Sequence, residues 1–137
     1  MDKKIYSTTV INEGGREGTT RLPDGTSLYN VAMPGTKLEM GLTDPERLFA
    51  AAYSSCFNQA LSVAKEKMGI DTKTIVETTV DLYEMKDQTF TIGIKLTIHI
   101  PNVSKLNAEQ MVNYADRICP YSRAVRNNIK FEINVVD

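Results

Sequence analysis

The chain is poor in the residues that build covalent or metal-held frameworks. Its 137 residues include two cysteines and one histidine. Two thiols are too few for the disulfide framework of a small secreted protein, and with a single imidazole they are too few for a structural zinc cage. An excess of either charge is also missing: 16 Lys and Arg stand against 17 Asp and Glu, a formal charge of −1. Binding nucleic acid or an anionic membrane draws on clustered cations that release counterions, so neither partner is expected. No run reaches the ~20 apolar residues of a membrane span, and the charged start Met1-Asp2-Lys3-Lys4 is not followed by the apolar segment of a secretory signal. A soluble, cytoplasmic protein is the expectation. The length suits one domain over residues 1–137, able to bury roughly two-thirds of its unfolded surface and so to fold without a staple or a metal.

What is present reads as an α+β chain. Tyr6 to Ile11 is a short β-type run, and Arg21-Leu22-Pro23-Asp24-Gly25-Thr26 is a turn signal between runs near Thr19–Leu22 and Ser27–Met33, which predicts a hairpin. Gly14-Gly15-Arg16-Glu17-Gly18 makes a tight turn that presents an arginine. From Asp44 to Met68, Leu48, Phe49, Ala52, Tyr53, Cys56, Phe57, Ala60, Leu61 and Ala64 recur at spacings of three and four, a helical period. Asp44 is a suitable N-cap before Pro45, and Gly69 a suitable stop. The stretch Leu48 to Ala60 has almost no charge on any side. A helix apolar nearly all round needs cover on every face, which predicts a homodimer with this helix at its centre.

Ile75 to Tyr83 and Phe90 to Ile100 alternate as strands, joined near Met85–Gln88. His99 falls on the polar face of its strand and reads as solvated. A second helix is predicted to start at Asn107, with Gln110 completing a capping box, and to stop at Pro120, leaving Cys119 at its end. Ile129 to Val135 alternates as a final strand. The order is β-β-β-α-β-β-α-β.

Cys56 and Cys119 lie 63 residues apart, so there is no Cys-x-x-Cys pair. On count alone they read as unrelated buried thiols, because free cysteine is among the most buried residue types. Their surroundings change that. Cys56 closes the run Thr43-Asp44-Pro45-Glu46-Arg47-Leu48-Phe49-Ala50-Ala51-Ala52-Tyr53-Ser54-Ser55-Cys56-Phe57, and Cys119 opens Cys119-Pro120-Tyr121-Ser122-Arg123. With the Gly14–Gly18 turn, these segments resemble the organic hydroperoxide resistance (Ohr) branch of the Ohr/OsmC thiol peroxidases, over nearly the whole chain. Any one motif is weak; three in the right order are specific. Tyr121-Ser122 favours the hydroperoxide-resistance branch over the osmotically inducible one. Asp44 stands where that family usually has Asn, Glu17 where it has Asp, and Asn127 where it often has Gly; none of these touches a thiol.

The resemblance implies an OsmC-like fold, antiparallel sheets around long central helices in an intertwined dimer. It implies that Cys56 is the peroxidatic cysteine, Cys119 the resolving cysteine, Arg16 the active-site arginine, and Glu46 the carboxylate that holds it. It also implies no bound cofactor, and an external dithiol reductant, a dihydrolipoyl group on a lipoylated protein. The residue types suit the chemistry. A free thiol of pKa ~8.5 is already about a tenth ionised near pH 7.5, so extra thiolate gains about tenfold at most. An arginine donating to the peroxide oxygens as charge develops supplies more. Condensation of the sulfenic acid with a second thiol keeps the sulfur off the irreversible oxidation ladder. Leu48, Phe49, Tyr53 and Phe57, with Met33 or Met40, would line a pocket for an apolar peroxide. The competing reading is an apolar-ligand-binding or redox-sensing dimer whose thiols switch without turnover; Arg16 and Glu46 weigh against it.

The spacing also poses a conflict. Glu46 and Cys56 are ten residues apart, ~15 Å along an unbroken helix. Ser54 and Ser55 are poor interior residues and good caps, so a bend is expected between about Ala51 and Ser55, with a new helix placing Cys56 in its first turn, where free N–H groups stabilise a thiolate.

Overall fold

The computed structural model describes residues 2–34 and 42–136, which divide between Leu48 and Phe49 into two units. The N-terminal unit is a four-stranded sheet, β1 (Ile11–Glu13), β2 (Thr19–Arg21), β3 (Ser27–Val31) and β4 (Leu42–Thr43), in that order across the sheet. The predicted hairpin joins β2 to β3. Its turn closes with the Leu22 N–H on the Thr26 carbonyl at 2.8 Å and the Gly25 N–H on the Leu22 carbonyl at 2.9 Å. The run Tyr6 to Ile11 is not the strand expected of it: pairing begins at Ile11, and Ile5 and Tyr6 are exposed. Alternation marks residues able to form a strand, but a strand also needs a neighbour, and residues 2–10 have none among the described residues. Met40 lies outside the described residues.

Helix α1 runs without interruption from Pro45 to Met68. Asp44 caps it, its carboxylate accepting from the Arg47 N–H at 2.7 Å. Gly69, at φ +64°, ends it, and the Ile70 N–H reaches back to the Lys65 carbonyl at 3.0 Å in a Schellman closure. The expected bend is therefore absent, and the serines show why. The Ser55 hydroxyl donates to the Ala51 carbonyl at 2.8 Å and the Ser54 hydroxyl to Thr78 Oγ1 at 2.7 Å. Both use bonds compatible with a continuing helix instead of capping a new one.

The C-terminal unit packs helices on a three-stranded sheet ordered β5 (Ile75–Glu84), β6 (Phe90–His99), β7 (Lys130–Val136). Ile94, Leu96 and Ile98 of the central strand are buried and meet Tyr53, Phe57, Ala60, Leu61 and Ala64 of α1 and Met111, Val112 and Ala115 of α2 (Lys105–Ile118) in one core. Each large side chain so buried contributes about 1.5–3 kcal/mol. Antiparallel pairing holds for β1–β2, β2–β3 and β5–β6, but β3–β4 and β6–β7 are parallel, so the sheets are mixed where antiparallel sheets were expected. The helical crossover between β6 and β7 returns the chain in its original direction, which is what a parallel neighbour requires. Helix α2 begins two residues before the predicted Asn107, because Ser104 takes the cap and accepts from the Asn107 N–H at 3.2 Å. A third helix, α3 (Pro120–Val125), was not anticipated.

Candidate active site

In the N-terminal unit Arg16 lies on the 3-10 turn Gly15–Glu17. The turn is braced by Asn12, whose side-chain amide donates to the Gly15 and Thr19 carbonyls, both at 3.2 Å, while its oxygen accepts from the Gly15 N–H at 3.0 Å. Only glycine fits at its end: a Cβ on Gly18 would lie 1.9 Å from the Glu13 carbonyl oxygen. Arg16 then meets Glu46, in the first turn of α1, through two parallel bonds, Nη1 to Oε2 at 2.8 Å and Nη2 to Oε1 at 2.6 Å. This fork-to-fork geometry fixes the plane of the guanidinium. The bond from Arg16 holds the Glu46 carboxyl below the usual glutamate range against the opposing effect of burial, and Glu46 in turn raises Arg16. Glu46 is 14% exposed and Arg16 36%, and Arg16 lines a cavity of about 320 Å³. Val31, Pro45 and Leu48 give that cavity apolar walls beside the guanidinium. The pairing of Arg16 with Glu46 is thus present although the bend invoked to produce it is not.

The C-terminal unit brings the two thiols together. Cys56 lies in the middle of α1, half-buried, and Cys119 is fully buried at the corner between α2 and α3. Two roles fix Cys119: its N–H bonds the Ala115 carbonyl at 2.8 Å to close α2, and its carbonyl accepts from the Arg123 N–H at 3.0 Å to open α3. Pro120 is pre-set for the first position of that helix. The Cys119 side chain bears directly on the Cys56 thiol, as does the backbone N–H of Tyr121. Burial, with Cys119 second, pushes the Cys56 thiol up to about 11, against the lowering effect of the Tyr121 N–H. The helix N-terminus that was to stabilise a thiolate is therefore not the device in place, because a mid-helix residue has its neighbouring N–H groups already bonded.

Of the residues expected to line a pocket, Tyr53 and Phe57 are fully buried in the core and Phe49 is partly buried against it. Phe49 and Tyr53 join Tyr121 and Phe131 in an aromatic cluster with ring centroids 5.9–6.2 Å apart. Leu48 belongs to the cavity beside Arg16, and Met33 is exposed. Two contributors were not foreseen as site residues: Tyr121, by its N–H and its ring, and Ser122, whose Oγ meets the Tyr53 hydroxyl at 2.7 Å. The signal was available in Cys119-Pro120, an N-cap followed by an N1 proline, which places Tyr121 and Ser122 in the first turn of a short helix beside the thiol. His99 pairs with Glu77 at 2.6 Å on the outer face of the sheet. Among the described residues, no group of three or more His, Cys, Asp and Glu is placed to hold a metal, and no helix is long and apolar enough to cross a membrane.

Comparison with known proteins places the fold. Residues 38–134 match the family model described as OsmC-like protein. The chain is 42% identical to organic hydroperoxide resistance protein-like 2 of Staphylococcus epidermidis, over 98% of each, and 36% identical to organic hydroperoxide resistance protein OhrA of Bacillus subtilis, over the whole of both. Among solved structures, it superposes on an organic hydroperoxide resistance protein from Elizabethkingia anophelis with a TM-score of 0.88 at 31% identity, covering 99% of each chain. For the organic hydroperoxide resistance protein OhrB of Bacillus subtilis the TM-score is 0.85 at 31% identity, covering 96% of this chain and 98% of that one.

Proposed function

We start from the fact that the chain belongs to the OsmC-like family, and we propose that it is a cysteine-based peroxidase that reduces organic hydroperoxides, lipid hydroperoxides included, to alcohols. The observation that carries this is that Cys56 and Cys119, from two elements 63 residues apart, are brought close enough for the Cys119 side chain to act on the Cys56 thiol. Relatives at 33–42% identity whose names state organic hydroperoxide resistance support the substrate class.

In the proposed cycle the Cys56 thiolate attacks the outer peroxide oxygen, the O–O bond breaks, and the alcohol leaves with a proton while Cys56 becomes a sulfenic acid. The Cys119 thiol then attacks that sulfur, water leaves, and the Cys56–Cys119 disulfide forms. An external dithiol reopens it by exchange, restoring both thiols and leaving with its own sulfurs joined. Arg16 is the cation the first step needs, since burial alone keeps Cys56 protonated. Its donors act on the peroxide oxygens, and Glu46 keeps the guanidinium planar and oriented. We assign the reductant to dihydrolipoyl groups on a lipoylated protein, with no bound cofactor, and the working form to a cytoplasmic homodimer of single-domain chains. Phe90 at 68% and Leu106 at 64% exposed, and the unburied stripe Ala51, Ser55 and Gln59 of α1, are surfaces a second chain would cover.

The test is steady-state turnover of cumene hydroperoxide with dihydrolipoamide as the only reductant. Sustained turnover is expected from the natural chain and none from Cys56→Ser. Binding of the peroxide without turnover would favour the redox-sensing or ligand-binding reading and overturn this one.

A further inference from the structure

The buried hydrogen bond between Tyr53 and Ser122 joins the same two elements as the thiol pair. Tyr53 stands three residues before Cys56 on α1, and Ser122 three residues after Cys119 at the start of α3. Residues three apart in a helix share a face, so the hydroxyl bond and the thiol pair are neighbouring rungs between α1 and the α2–α3 corner. Tyr53 is 0% and Ser122 1% exposed, and their oxygens are 2.7 Å apart. Burial raises the Tyr53 phenol, which keeps its proton throughout the working range of pH, so this rung does not titrate. The corner itself is closed by Arg126, whose Nη2 donates to the Asp116 carbonyl at 2.7 Å and to its carboxylate at 2.9 Å, tying the end of α2 to the end of α3.

From this geometry we infer that Tyr53 and Ser122 are positioning residues for the resolving step: their hydrogen bond holds the α2–α3 corner against α1, so that Cys119 is presented to Cys56 at high effective concentration. The inference rests on the thiol cycle proposed above. A disulfide demands sulfurs ~2.05 Å apart and Cβ atoms within ~3.5–4.5 Å, so small drifts between the two elements weaken it steeply. Holding reacting groups in place is worth orders of magnitude in effective molarity. The step needs nothing beyond the cycle itself: the S–S bond forms, the S–OH bond breaks, and the Cys119 proton leaves in water.

The experiment equilibrates the reduced chain with a glutathione redox buffer, with no peroxide present, and quantifies the Cys56–Cys119 disulfide by alkylation and mass spectrometry. Ser122→Ala is expected to lower the disulfide equilibrium constant about tenfold, equivalent to a midpoint potential ~30 mV more oxidising. Ser122→Thr, which restores a hydroxyl, is expected to recover most of that loss. Tyr53→Phe should match Ser122→Ala, and the double variant should be no worse than either, as befits one shared bond. A purely structural bond would lower the melting temperature while leaving the equilibrium within twofold of the natural chain, and that result overturns the inference. Should Tyr53→Phe fail to fold, the Ser122→Ala and Ser122→Thr pair decides alone. If the natural chain itself forms no Cys56–Cys119 disulfide, the thiol cycle is overturned; if it does and the variants match it, only the positioning role falls.

Discussion

In the proposed cycle the burial of Cys56 and the charge of Arg16 work against each other. Burial and its Cys119 neighbour push the Cys56 thiol up to about 11, whereas attack on a peroxide needs the thiolate. A thiol so raised holds its proton below that pH, and a nearby cation lowers the value by favouring the charged form. If Arg16 acts on Cys56, the inflection in its alkylation rate with iodoacetamide lies well below 11 in the natural chain. Arg16→Gln should move that inflection upward and slow sulfenic-acid formation about 10²–10³-fold, as loss of one preorganised donor does elsewhere. An unchanged rate of sulfenic-acid formation in Arg16→Gln would remove Arg16 from the mechanism, whatever happens to the inflection. Glu46 has the reverse sign. Its carboxyl is held below the ordinary range by the bond from Arg16, so the stability that bond gives is present above the unfolded glutamate value and disappears as pH falls through the lower folded one. Because Arg16 is about one-third exposed, Glu46→Gln should cost no more than about 1 kcal/mol in a denaturant titration at pH 7, and less in acid.

Helix α1 shows what local sequence rules decide and what they leave to context. Asp44, Pro45 and Gly69 set its ends as their chemistry dictates. Ser54 and Ser55 carry the same capping chemistry but spend it on Thr78 and on the Ala51 carbonyl, and only the sheet beside the helix makes the first of those bonds available. Ser55→Ala therefore should not lower stability, since alanine is the better interior residue by about 0.5 kcal/mol. Asp44→Ala should lower it by about 1 kcal/mol, the usual worth of an N-cap. Urea titrations check both, and a loss of about 1 kcal/mol in Ser55→Ala would indicate a cap and restore the bend. The strands of the hairpin and of β5 and β6 were legible because turn residues and alternation are local. The parallel partnerships of β4 and β7, the start of α2 at Ser104 and the unpaired run before Ile11 were not, because each depends on which neighbour the chain meets in space.

The thiol pair belongs to the molecule as a whole, since no local pattern in a 63-residue separation predicts that the sulfurs meet. Family motifs supplied that expectation, and the core around Tyr53, Met111 and Ala115 packs α1 and α2, the elements that carry or flank the two cysteines, on one sheet. The apolar walls beside Arg16 suit the bulky apolar group of the proposed substrates, which gains ~25 cal/mol per Å² buried. Cumene hydroperoxide should exceed hydrogen peroxide by well over tenfold in kcat/KM; equal values would reject the apolar site while leaving the thiols in play. The most direct measurement adds one equivalent of cumene hydroperoxide to the reduced chain, alkylates what remains and maps the peptides by mass. The natural chain should yield the Cys56 and Cys119 peptides joined by a disulfide, with the peroxide consumed, and Cys119→Ser should yield oxygen added to Cys56 after a single turnover. Consumption of the peroxide with both cysteines still alkylated, or sustained turnover by Cys119→Ser, would contradict the two-thiol cycle.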